Sequence, residues 1–162
     1  MLGKWLVTLQ GLSSTGRSWD QDVARKLLED DSIGSIDALQ GLSSDFHWQV
    51  VLENIGGIYR LEGQWQGSMM RHCSRCNTPF DCKVSGSTQR DYQLGKQMES
   101  MSDGDESEAE CEYLLPPGSI NLLDVLREDI WLAWQADVVC SETCKGLCSY
   151  CGCNRNKVTC EC

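Results

Sequence analysis

Seven of the eleven cysteines in this 162-residue chain lie in its last 23 residues. They run Cys140-x3-Cys144-x3-Cys148-x2-Cys151-x-Cys153-x6-Cys160-x-Cys162. The residues between them are mostly polar and include Gly146, Gly152, Asn154 and Asn156. Such a segment buries too little apolar surface to offset its ordering entropy, so disulfides or a thiolate-bound metal must hold it. The odd cysteine count argues against a closed disulfide framework. The opening Met1-Leu2-Gly3-Lys4-Trp5-Leu6-Val7 lacks the pattern of a secretion signal. A reducing compartment is therefore expected, the cytosol or, in an organelle, a plastid stroma, where clustered cysteines favour metal. Cys148-Ser149-Tyr150-Cys151-Gly152 has the form of a zinc knuckle. Its two-residue gap lets both sulfurs meet one ion, and the glycine permits the tight turn. The expectation is one zinc in a structural role. Its two further ligands come from Cys140, Cys144, Cys160 and Cys162, and spacing does not choose between them.

Cys73-Ser74-Arg75-Cys76 is a second pair at the same spacing, flanked by Arg71 and His72. Basic neighbours lower a thiol pKa, so a redox pair is one reading. Redox pairs usually open a helix, however, and this one sits between strand patterns. The pair otherwise joins part of the tail in one metal site, or is a hairpin tip without metal. Cys144-x3-Cys148-x2-Cys151 also has the spacing of radical S-adenosylmethionine enzymes. Those build a large barrel after the motif, and only 11 residues follow here. Cys82 falls on a strand pattern and is expected in the core, and Cys111 is expected to be free. The only histidines, His47 and His72, are expected at the surface. No nucleophile–base set, catalytic carboxylate pair or phosphate-cradling loop can be assembled from these residues. The six tryptophans are read as packing residues.

The elements that must position these groups are legible from periodicity. Ser18-Trp19-Asp20-Gln21 resembles a capping box, with Val23, Ala24, Leu27 and Leu28 on one face, which predicts a helix over 19–30. Phe46, Trp48, Val50 and Leu52 alternate with polar residues, and Asn54-Ile55-Gly56-Gly57 is a turn. Alternation resumes with Tyr59, Leu61, Trp65 and Met69, and again with Phe80, Cys82 and Val84. This predicts an antiparallel meander with Cys73–Cys76 at a hairpin tip. Pro116-Pro117-Gly118 is a break. Asn121 then caps a helix through about residue 135, striped by Leu122, Leu126, Ile130, Ala133 and Trp134. The fold class is α+β, a β-meander packed by one or two helices and followed by a cysteine-rich knuckle tail. The expected division is an α+β domain over 1–135 and a tail over 136–162, with no internal repeat.

The net charge is −10, which repels nucleic acid at long range. It is unevenly spread. Residues 97–112 hold seven acidic groups and no basic one, a disordered acidic loop by composition. Residues 60–96 hold six basic against three acidic groups, a local +3. No apolar run is long enough to cross a membrane as a helix.

Three features occur in a recognisable order: Cys73-Ser74-Arg75-Cys76 with Pro79-Phe80; Ile120-Asn121-Leu122-Leu123-Asp124-Val125-Leu126-Arg127-Glu128-Asp129-Ile130-Trp131-Leu132-Ala133; and Cys144-Lys145-Gly146-Leu147-Cys148-x2-Cys151-Gly152-x-Asn154-x-Asn156 with Cys160-x-Cys162. Together, over roughly residues 46–162, they resemble the YceD-like family, the large ribosomal RNA subunit accumulation proteins, in its cysteine-tailed form. Asn77 stands where that family usually has an apolar residue, and Gln135 where the helix often ends in proline. The resemblance implies a non-enzymatic ribosome biogenesis factor needed for normal levels of large-subunit (23S) ribosomal RNA. The implied partner is that RNA or a pre-ribosomal protein, with no small-molecule substrate. Arg60, Arg71, Arg75, Lys83 and Arg90 are the candidate phosphate contacts. A zinc-ribbon module binding only protein, and a thiol redox protein using Cys73 and Cys76, are the alternatives.

Overall fold

A computed structural model describes residues 4–34, 37–95, 111–134 and 137–162. The centre is a five-stranded sheet in the order β2-β3-β4-β5-β6. Its strands are β2 (Arg17–Val23), β3 (Phe46–Ile55), β4 (Ile58–His72), β5 (Pro79–Leu94) and β6 (Cys111–Leu114). The first four pair antiparallel in sequence order, and β6 joins the edge of β5 in parallel. A small second sheet pairs β1 (Leu6–Thr8) with β7 (Ser119–Asn121).

The meander follows from two-residue alternation. Phe46, Trp48, Val50 and Leu52 of β3 and Tyr59, Leu61, Trp65 and Met69 of β4 are buried on one face. Gly56 and Gly57 turn the chain between them, as expected. Helix α2 (Leu122–Leu132) covers that face and buries Leu122, Leu123, Leu126 and Ile130. The side chain of Asn121 caps it by accepting a bond from the Leu123 amide at 3.1 Å.

Residues 17–23 depart from expectation. They form β2, and the first helix α1 is only Arg25–Leu28. Trp19, Gln21 and Val23 face β3 partners Val50, Trp48 and Phe46 in a seven-rung antiparallel ladder. Those rungs outweigh a local capping signature. Cys111 and Glu112, read as the end of the acidic loop, belong to β6. The rest of that loop over 97–110, like Gln135, lies outside the described residues. Cys82 is half-buried, not core.

The β4–β5 hairpin is long, 15 and 16 residues, so it spans about 50 Å at ~3.3 Å per residue. Its last rung is His72 with Pro79, and the thiol turn sits beyond it.

Candidate metal centres

Among the described residues, eight cysteines gather into two groups of four. Cys73, Cys76, Cys140 and Cys144 form one, and Cys148, Cys151, Cys160 and Cys162 the other. Within each group all sulfurs lie within 4.8 Å of one another. None of the eleven cysteines is in a disulfide.

The inner group is built where β4 turns into β5. The amide of Asn77 donates to the Cys73 carbonyl at 2.8 Å, and the Cys73 amide to the Thr78 carbonyl at 3.0 Å. Asn77 closes this turn with φ 53°. Asparagine tolerates that left-handed conformation, which explains why it can stand at this place. The tail then docks on the turn through its backbone. Ser74 donates to the Val138 carbonyl at 2.8 Å, and Leu147 to the Arg75 carbonyl at 3.0 Å. The Arg75 guanidinium reaches the carbonyls of Glu142 and Cys144, each at 3.4 Å. Gly146, at φ 72°, passes so close that a Cβ would stand 3.1 Å from the Arg75 carbonyl oxygen. These contacts bring Cys73 Sγ to 3.8 Å from Cys144 Sγ, and Cys76 Sγ to 3.7 Å from Cys140 Sγ. Cys73, Cys76 and Cys144 are buried, while Cys140 is exposed.

The outer group repeats the turn. Gly152 donates to the Cys148 carbonyl at 2.9 Å, and Cys148 to the Cys153 carbonyl at 2.8 Å. Asn154 and Asn156 brace it: Asn156 Oδ1 accepts from the Lys145 amide at 2.8 Å, and Asn154 Oδ1 from the Asn156 amide at 3.0 Å. Cys160 Sγ lies 3.3 Å from Cys148 Sγ, 3.6 Å from Cys151 Sγ and 3.2 Å from Cys162 Sγ. Cys151 and Cys162 are exposed.

A tetrahedral zinc–thiolate site, with Zn–S about 2.3 Å, has a sulfur–sulfur edge of about 3.8 Å. A disulfide bond is about 2.0 Å. The inner spacings fit the tetrahedral edge, and the outer ones lie nearer to it than to a bond. In the inner group, burial opposes ionisation of Cys73, but the backbone amides of Cys140, Cys76 and Arg75 outweigh it and hold Cys73 down at about 6. Desolvation and the thiols of Cys73 and Cys76 push Cys140 up to about 12. In the outer group the Cys153 amide holds Cys151 at about 6, while the Cys160 thiol pushes Cys162 up to about 12. Four crowded thiols cannot all ionise alone, and a divalent cation at their centre removes that conflict. Both donor sets fit a metal ion.

The family model for the large ribosomal RNA subunit accumulation protein YceD matches residues 61–162. This chain belongs to that family. The match covers both thiol groups and α2 and begins within β4. Comparison with curated proteins and with solved structures found no match.

The basic residues singled out from sequence are placed differently from the thiols. Arg60 makes a two-pronged bond to Asp91, at 2.8 and 2.7 Å. Arg90 pairs with Asp129 at 2.6 Å and Glu128 at 3.5 Å. Arg71 is buried, its guanidinium 3.5 Å over the Trp134 ring. Arg75 serves the tail, and Lys83 is exposed. The structure thus does not gather the five into one open patch. The histidines are near the surface. His47 is half-buried between Asp20 and Asp22, at 3.3 and 2.9 Å, and His72 is exposed.

Sequence reasoning missed a surface at the end of α2. Trp131 is 66% exposed, Leu132 70% and Trp134 50%, and the two rings stack with centroids 6.3 Å apart. The tryptophans at 5, 48 and 65 are core residues, as expected, but this pair is not. The available signal was helical phase: residue 131 falls off the stripe set by Leu122, Leu126 and Ile130.

Proposed function

We propose that this protein is a non-catalytic factor in the accumulation of large-subunit (23S) ribosomal RNA, acting through a protein of the assembling subunit. The carrying observation is the family match over residues 61–162, which spans every element around the thiol groups. Three features favour a protein contact over a phosphate contact. Four of the five candidate cations already make contacts within the chain, as described above, although Arg60 and Arg75 make theirs at the surface. The net charge of −10 suits a basic partner. Trp131, Leu132 and Trp134 offer the aromatic and aliphatic surface on which protein interfaces concentrate their energy. The metal we assign to the thiols is zinc, in a structural role, because a four-thiolate site leaves no open position for chemistry.

The test is the ratio of mature large- to small-subunit ribosomal RNA in cells depleted of the protein. A selective fall in the large-subunit RNA is expected, and an unchanged ratio would overturn the reading. Crosslinking then separates the two contacts. Recovery of a large-subunit protein through the end of α2 is expected, whereas RNA crosslinked at Lys83 would reassign the contact to phosphate.

A further inference from the structure

Resting on the zinc reading above, we propose that each chain binds two zinc ions at separate four-cysteine sites, and that the inner ion clamps the tail onto the tip of the β4–β5 hairpin. The inner ligands are Cys73, Cys76, Cys140 and Cys144, and the outer ones Cys148, Cys151, Cys160 and Cys162.

Both pairs with a two-residue gap fold into the same knuckle, with the fifth residue's amide closing on the first cysteine's carbonyl. A knuckle supplies two of the four ligands of a tetrahedral site. Two knuckles pointing at one ion would use up both pairs and leave Cys140, Cys144, Cys160 and Cys162 over. The chain does otherwise. Cys140 and Cys144 come to the first knuckle, and Cys160 and Cys162 to the second. Each set closes at four, with no ligand shared.

The two sites differ in what they join. The outer ligands span only residues 148–162, so that ion organises a local loop. The inner ligands come from positions 64 to 71 residues apart. Along this contact the described backbone bonds are few, notably Ser74 to Val138 and Leu147 to Arg75. Three of the four inner cysteines are buried, though their surroundings hold little apolar surface beyond Phe80 and Val139. A cross-link with so little packing of its own needs the ion.

Polar groups already aim at the sulfurs. The Asn156 side-chain amide donates to Cys144 Sγ at 3.3 Å, and the Tyr150 backbone amide to Cys148 Sγ at 3.4 Å. Such donors temper the charge of a metal-bound thiolate. On binding, each group of four thiols releases its protons, and each zinc tetrathiolate carries two negative charges.

Cys82, Cys111 and Cys153 are outside both groups. Cys153 is the discriminating one, because it lies inside the tail and close to the outer set.

The experiment is zinc analysis of the full chain, purified reduced and without chelator, followed by the same analysis of Cys76→Ser, Cys151→Ser and Cys153→Ser. Two zinc ions per wild-type chain are expected, one in Cys76→Ser, one in Cys151→Ser, and two in Cys153→Ser. A single ion in the wild type would overturn the two-site inference and leave the zinc reading standing. No ion would overturn both. Loss of both ions in either single variant would refute independent sites. The wild-type count needs no variant to fold. Hydrogen exchange reads the clamp: in Cys76→Ser the amides of Ser74 and Leu147 should lose protection while β3 and β4 keep theirs. Unchanged protection at those two amides would overturn the clamp.

Discussion

Asn77 and Gly152 hold the same station in two copies of one turn. Each follows the second cysteine of a pair, each lies in the left-handed region, at φ 53° and φ 72°, and each donates its amide to the first cysteine's carbonyl. The turn requires that backbone conformation, and the two residues meet the requirement differently. Glycine adopts it freely, and asparagine tolerates it. A Cβ at Gly152 would meet nothing within 4 Å, so any cost of filling it is conformational. Gly152→Val should therefore weaken the outer loop by about 1–2 kcal/mol, the left-handed penalty for an ordinary residue. Asn77→Gly should be close to neutral. Metal retention against a competing chelator reads both, and equal retention by Gly152→Val and wild type would refute the account.

Arg127 should be the most damaging single residue to replace in the helical layer. It is fully buried on α2, and its guanidinium donates to the carbonyls of Leu27, Leu28, Asp30 and Ile33. Asp124, one turn earlier, lies 3.7 Å from it. One side chain thus ties the end of α1 and the loop after it to α2. Arg127→Met removes the guanidinium from all four carbonyls and its charge from beside Asp124, a loss on the order of 3–5 kcal/mol. Arg127→Lys cannot rescue it fully, because an ammonium has three donors and no planar fork. Urea denaturation should show a lower midpoint in both variants, and a midpoint within experimental error of wild type would refute the tie.

The β-meander and α2 were readable from sequence because their cues agreed with their surroundings. Alternation from Phe46 to Met69, broken by Gly56-Gly57, leaves one arrangement that buries Phe46, Trp48, Val50 and Leu52 on the same face as Tyr59, Leu61, Trp65 and Met69. Residues 17–23 carried a capping signature, and the pairing with β3 that overrides it is not visible until the register of the sheet is known. The thiol sorting was not readable. Spacing reveals knuckles, but which distant cysteines complete each one is settled by docking of the tail on Arg75 and Ser74. Arg60 and Arg90 show the same limit, since a charge in sequence does not reveal its partner. Asp91 and Asp129 sit on elements whose register had to be known first.

The Arg60–Asp91 pair should appear in the acid limb of stability. The Arg60 guanidinium holds the Asp91 carboxyl below its ordinary value of 3.8. An acid with a lowered folded pKa stabilises the fold above its unfolded pKa, and that contribution is lost as pH falls through the folded value. Asp91→Asn should therefore lose stability relative to wild type at neutral pH, and the gap should close below about pH 3.8. Metal loss in acid lowers both proteins alike, so the quantity to follow is their difference at each pH. A gap independent of pH would mean that the carboxylate's charge contributes nothing.

Asp129 carries the opposite sign. Burial pushes its carboxyl up, against the hydrogen bond from Thr88 and the charge of Arg90. Thr88 donates to it at 2.6 Å and accepts from Trp48 Nε1 at 3.1 Å, so the chain of bonds runs from core tryptophan to helix. Thr88→Val deprives both neighbours of a partner in a buried place and should cost about 1–3 kcal/mol. Thr88→Ser keeps the hydroxyl and should recover most of it. Thermal denaturation of the two variants decides: a smaller loss in Thr88→Val than in Thr88→Ser would mean that the methyl group, not the bond chain, is what Thr88 supplies.

The surface at the end of α2 makes the remaining prediction, and here stability and function should separate. Trp131 and Leu132 are mostly exposed, so alanine at both should change folding stability by no more than about 0.5 kcal/mol. If a large-subunit protein seats there, the same double variant should fail to restore the large-subunit RNA ratio in depleted cells. Trp134→Ala is a weaker probe, because that ring also lies under the Arg71 guanidinium and its loss disturbs the fold. Full restoration by a Trp131→Ala, Leu132→Ala protein present at wild-type levels would remove this surface from the proposed contact. The acidic charge would then be the main remaining support for a basic partner.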